Sequence, residues 1–154
     1  MAELTLDVAR KILDAALAKG VEKKFKPLVI TILDARGAVK VTAAQDGTSL
    51  MRAEIAHGKA YGALALGMGS RALFQRAQEQ AYFVNAVNAI AQGRLVPVPG
   101  GVLIAESIHP NKSHIGGRGI NTLTGADVVA PIGGAPFHDN KVWLKKAAAS
   151  ARKS

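Results

Sequence analysis

Ile30-Thr-Ile-Leu-Asp34-Ala-Arg-Gly37, followed by Asp46-Gly47 and then Arg52-Ala-Glu-Ile-Ala-His-Gly-Lys59-Ala60, is the stretch on which the fold turns. Its first half is β-rich, opened by Pro27 and broken at Asp34-Ala-Arg-Gly37 by residues that make hairpin turns. The spacing predicts strands over 28–33 and 38–44, paired antiparallel, with Asp46-Gly47 closing the second. A helix over 49–66 then carries Arg52 and Lys59. Gly58 and Gly62 inside it each cost about 1 kcal/mol relative to alanine. Glycines kept at that cost imply close approach of another backbone: the sheet, a partner subunit, or a ligand pressed on the helix.

Working outward, residues 5–19 read as a first helix. Thr5 is placed to cap it, Asp7 sits in its first turn and Gly20 is the expected terminator. Leu6, Val8, Ile12, Leu13, Ala16 and Leu17 make its apolar stripe. Ser70 is a candidate cap for a helix containing Leu73 and Phe74, and residues 80–91 form another, ended by Gly93. Strands are expected over 95–98, 102–105 and 128–132, with Gly100-Gly101 and Gly133-Gly134 at tight turns. Residues 106–125 are polar, glycine-rich and aperiodic, the signature of a functional loop or a disordered one. A last helix is expected over 139–152. This order fits an α+β domain with helices on an antiparallel sheet. No strand, glycine-rich loop and helix follow one another in the manner of a nucleotide fingerprint.

With 154 residues the chain is read as one domain, 1–154. Hydrophobic residues at 49% and charged residues at 20% are those of a globular chain rather than a disordered one. Aromatics at 5% argue against a stacking platform for single-stranded nucleic acid. The absence of Cys removes disulfides, thiolate metal sites and a cysteine nucleophile. A net charge of +9 attracts anions without choosing among them, and cations near helix ends also offset helix dipoles. No apolar run spans a bilayer, and Met1-Ala-Glu-Leu-Thr lacks the pattern of a secretion signal, so the chain reads as cytoplasmic.

Arg52 and Lys59 are seven residues apart, so an ideal helix puts them on one face with about 10 Å of axial rise between them. Ala56 lies between them and Ala63 one turn beyond. Two cations over a floor of methyl groups suit an anionic, partly apolar ligand. Lys59 is the first candidate, as an anion contact or a general base; Arg52 is the second, through its bidentate fork. His57 is rotated away from Lys59 and lines up with Glu54 and Tyr61. It reads either as an ordinary helix histidine or as an axial ligand or proton-transfer group. His109, His114 and Arg118 lie in the long loop and His138 beyond it. Their spacing matches no metal-ligand motif, so no metal is expected, and a polar lid over a ligand is the sharper alternative to plain solvent exposure. Asp139 is a candidate helix cap or site residue. Gly100 and Gly101 either present N–H groups to an anion or make the turn. Asp34 and Asp46 are read as turn residues.

These residues resemble the GlcG/HbpS-like family, also described as haem-degrading-type domains and found at the C-terminus of some corrinoid adenosyltransferases. The resemblance rests on the order of Asp34 and Gly37, Asp46-Gly47, Ala56-His-Gly-Lys59-Ala60, Pro99-Gly100-Gly101, and Ala130-Pro-Ile-Gly-Gly134 before Asp139. It implies a central antiparallel sheet of about five strands flanked by helices, and assembly into homo-oligomers, dimers or larger rings. Haem is bound by some members and is the one cofactor the resemblance implies. The chain departs from the family pattern at 106–126, where members carry a short Asp-Gly turn, and its first helix has no His.

Three functions follow. One is binding of an anionic small ligand, haem or a related tetrapyrrole, by Arg52, Lys59 and the Gly-Gly turn. Another is an enzyme of lyase, isomerase or hydrolase type on a small carboxylated metabolite, with Lys59 or His57 moving the proton and 107–125 as lid. The third is an oligomeric accessory protein of a catabolic pathway. The charge permits nucleic-acid binding, but no recognised module supports it.

Overall fold

The computed structural model describes residues 4–105 and 123–129. The elements are helix α1 (Leu6–Glu22), strands β1 (Val29–Leu33) and β2 (Val39–Ala44), and helices α2 (Arg52–Leu66), α3 (Ser70–Glu79) and α4 (Ala81–Ile90). Strands β3 (Gly101–Ala105) and β4 (Leu123–Val129) complete them. The strands form an antiparallel sheet in the order β2-β1-β4-β3, so the expected α+β architecture holds, with four strands among the described residues.

β1 is an inner strand, and all five of its residues are buried. Its side chains alternate between two helical layers. Ile30 and Ile32 point into the cluster built by Ile12, Leu13 and Ala16 of α1, while Val29 packs on Ala56 of α2. The sheet therefore lies between α1 and α2. Burying one Ile or Leu side chain contributes about 1.5–3 kcal/mol, so the α1 stripe anchors one side of the sheet. On the other side α2 lies over β1, β4 and β3 and barely reaches β2.

The hairpin turn forms as its sequence dictates. Asp34 N–H donates to Ala38 O (2.8 Å), and Gly37 takes a left-handed φ of 83°. The Asp34 carboxylate accepts from the N–H groups of Arg36 (2.8 Å) and Ala38 (3.0 Å) and from the Arg36 guanidinium (3.2 Å). Burial alone would raise its pKa; those donors outweigh it and hold the carboxyl below its ordinary value.

Several local expectations are corrected. Thr5 does cap α1, its hydroxyl accepting from Val8 N–H (3.2 Å), but the helix runs through Gly20 to Glu22. Gly20 serves packing instead: a Cβ there would lie 2.5 Å from Leu28 Cδ1. Ser70 is not the cap of α3. That position is Gly69, and the buried Ser70 hydroxyl donates to Lys59 O (3.1 Å). Residues 95–98 are not a strand. Pro97 and Pro99 have no N–H to give a ladder. The donors that remain are spent elsewhere: Leu95 N–H on Asn88 Oδ1 (3.1 Å), Val96 N–H on Gly58 O (3.1 Å) and Val98 N–H on Val96 O (2.9 Å). The late strand expected at 128–132 starts earlier, at Leu123, inside the stretch read as loop. The helix expected over 139–152 lies outside the described residues.

Candidate ligand groove

Because α2 stops short of β2, the sheet face beside that strand is uncovered among the described residues and forms one wall of a groove of about 520 Å³. Thr31, Val39 and Thr42 of the hairpin form this wall. Thr31 and Thr42 are cross-strand partners whose hydroxyls contact each other, and Thr42 also donates to Ile30 O (3.2 Å). The start of α2 contributes Met51, Ala53, Glu54, Ile55 and His57, and the chain after α4 contributes Gly93, Arg94 and Val96. Most of this lining is apolar; His57, Arg94 and Glu54 supply the ionisable groups. A volume of this size falls within the range of about 300–1,000 Å³ usual for small-molecule sites.

The glycines of α2 explain how Arg94 arrives there. A Cβ on Gly58 would meet Val96 Cγ2 at 2.5 Å and Arg94 O at 3.1 Å; one on Gly62 would meet Leu95 Cγ at 3.0 Å. The close neighbour that these glycines admit is therefore the segment 94–96 of the same chain. Seated on α2, this segment carries the Arg94 guanidinium over the ring of Tyr61, 4.6 Å from its centroid, with Nε donating to Ala91 O (2.9 Å). Tyr61 also stacks on His57, one helical turn before it, with centroids 6.0 Å apart and an interplanar angle of 16°. The alignment of His57 with Tyr61 expected from helical spacing is observed.

The paired cations are placed differently from the expected pocket. Lys59 is 2% exposed and shares a face with Ala56 and Ala63, which are fully buried; Ala56 packs on Val29. The methyl floor thus faces the sheet rather than a ligand cavity. Arg52 is half-buried at the start of α2, its Nε donating to Ser49 Oγ (3.2 Å). Neither Lys59 nor Arg52 lines the groove. Gly100, with φ of 142°, and Gly101 are buried, and Gly101 opens β3 opposite Asp127. His109, His114, Arg118, His138 and Asp139 lie outside the described residues. Among the described residues no three His, Cys, Asp or Glu side chains converge as a metal site would require. Sequence reasoning did not single out Arg94. Its signal was indirect, in the unfavourable glycines at 58 and 62 and the Gly93-Arg94 break after α4.

The fold finds its counterparts in known proteins. The family model described as haem degrading protein HbpS-like matches residues 4–130, and the chain belongs to that HbpS-like family. Among solved structures, the Klebsiella pneumoniae protein ORFY superposes with a TM-score of 0.72 at 18% identity, covering 100% of this chain and 93% of that one. A PduOC:haem complex gives 0.69 at 21% identity, with 97% and 95% covered. A double mutant of Streptomyces reticuli HbpS gives 0.68 at 20% identity, with 97% and 88% covered. At these identities the structures show a shared fold. Among curated proteins, none matches the sequence significantly. No helix among the described residues is long and apolar enough to cross a membrane.

Proposed function

We propose that this chain binds an anionic, largely apolar small ligand in the groove beside α2, and that haem or a related tetrapyrrole is the ligand whose chemistry fits it. The observation that carries the reading is the presence of both His57 and Arg94 in the lining of a mostly apolar groove of about 520 Å³. Imidazole is a common protein ligand of haem iron. A guanidinium pairs with a carboxylate through two parallel hydrogen bonds, and Val39, Met51, Ile55 and Val96 offer apolar contact to a macrocycle face. Haem, when bound, would supply the iron centre; the chain's own residues would hold and orient it. Membership in the HbpS-like family and the fold shared with a haem complex support the same choice.

Titration with haemin tests the proposal. A saturable Soret shift at stoichiometric concentration is expected, with an altered spectrum in His57→Ala and weaker binding in Arg94→Ala. The absence of any shift in the unsubstituted protein would discard the reading. We further place this activity in the cytoplasm and in a homo-oligomer. Support for the latter comes from Val39, Leu50 and Met51, exposed at 54%, 93% and 62%; two of these three also line the groove. Sedimentation of a strict monomer would remove the oligomer.

A further inference from the structure

We infer that Tyr61 is the positioning residue of the groove, fixing the imidazole of His57 and the guanidinium of Arg94 relative to each other. This rests on the groove being a ligand site. Tyr61 does not line the groove itself. It stands behind the wall, half-buried against the cluster of Leu73, Val84 and Leu95. The hairpin turn closes on it from another direction: a Cβ on Gly37 would lie 3.6 Å from the ring. A ring held by both a core and a turn is a rigid platform. His57 stacks on it at 6.0 Å and Arg94 lies over it at 4.6 Å, so one ring is the shared partner of both groups.

The π-face attracts the guanidinium, and the ring plane limits the imidazole to a narrow range of tilt. An imidazole and a long, rotamer-rich arginine are thereby preorganised, and preorganisation lowers the entropic cost of binding. The platform also sets specificity. A ligand is accepted when its anionic edge reaches Arg94 while its centre presents to His57, and ligands of shorter span satisfy only one of the two.

The test is haemin titration of the full chain carrying Tyr61→Leu, with thermal melting as a check of folding. Loss of the aromatic face is expected to weaken binding about tenfold and to change the Soret band, because the imidazole loses its stacking partner. Tyr61→Phe, which restores a ring, should rescue both. Fluorinated phenylalanines introduced at position 61 keep the shape while draining the negative face, so affinity should fall stepwise with fluorine number even if the leucine variant does not fold. Wild-type affinity and spectrum in Tyr61→Leu, or no trend across the fluorinated series, would overturn the positioning role. If His57→Ala and Arg94→Ala still impaired binding in that case, the ligand reading would stand. No shift in the unsubstituted protein would overturn both.

Discussion

Substituting Gly58 by alanine sets two opposing effects against each other, and the structure decides between them. In an open helix interior the change stabilises by about 1 kcal/mol, because alanine is the better helix former. Here the new methyl would stand 2.5 Å from Val96 Cγ2 and 3.1 Å from Arg94 O. The Val96 side chain can rotate to give some room, but the carbonyl belongs to backbone. That backbone is tied to the same residue by the Val96 N–H to Gly58 O bond at 3.1 Å. Relief therefore requires the 94–96 segment to lift. Lifting it stretches a hydrogen bond worth about 1 kcal/mol and loosens Leu95, which is buried with Leu73 and Val84. Overpacking of this kind costs about 1–3 kcal/mol. After the helical gain is set against these losses, Gly58→Ala should be net destabilising by about 1–2 kcal/mol. For a chain of this length that is a fall in Tm of about 2–8 °C. Thermal melting followed by far-ultraviolet circular dichroism is the assay. An unchanged or raised Tm would refute the close seating of 94–96 on α2, and with it the account of how Arg94 is delivered.

Two further perturbations probe the sheet. Asp34→Asn should flatten the acid limb of the stability curve. The folded carboxyl titrates below its unfolded value of about 3.9, so its contribution is fully present above that pH and is lost as pH falls through the folded value. Urea midpoints measured between neutral pH and pH 2 would show the difference, and parallel curves for the two proteins would exclude the mechanism. Ile30→Ala, at a site with 0% exposure between the sheet and α1, should cost about 2–5 kcal/mol in urea unfolding. Val21→Ala at the exposed end of α1 should stay within about 0.5 kcal/mol; equal losses would mean that the sheet–α1 layer is not the core.

The hairpin was legible because its chemistry is local. Asp34 and Gly37 name a turn, and the runs on either side can do little but pair. Thr5 was legible for the same reason, since a cap bonds its own helix. Residues 95–98 were not, because apolar residues beside prolines resemble a short strand until each N–H is assigned a partner, and the partners of Leu95 and Val96 sit on α4 and α2. Arg52 and Lys59 both lie on α2, seven residues apart, as the spacing implied. Nothing in α2 alone says which face meets the sheet, and it is the alanine face that does, carrying Lys59 inward. The groove depends on two long-range facts, the offset of α2 from β2 and the landing of Arg94 on Tyr61. Neither has a signature within any one segment.

The position of β2 has a consequence for how the protein behaves when concentrated. It occupies one margin of the described sheet, and a marginal strand is a template on which another chain can polymerise. The register slip opposite Ile32 and Leu33 twists the partner strand, and Lys40 puts a charge between two valines of β2. Both features discourage fibrillar growth from that side. The backbone of this margin is thereby a poor template for open-ended stacking of strands.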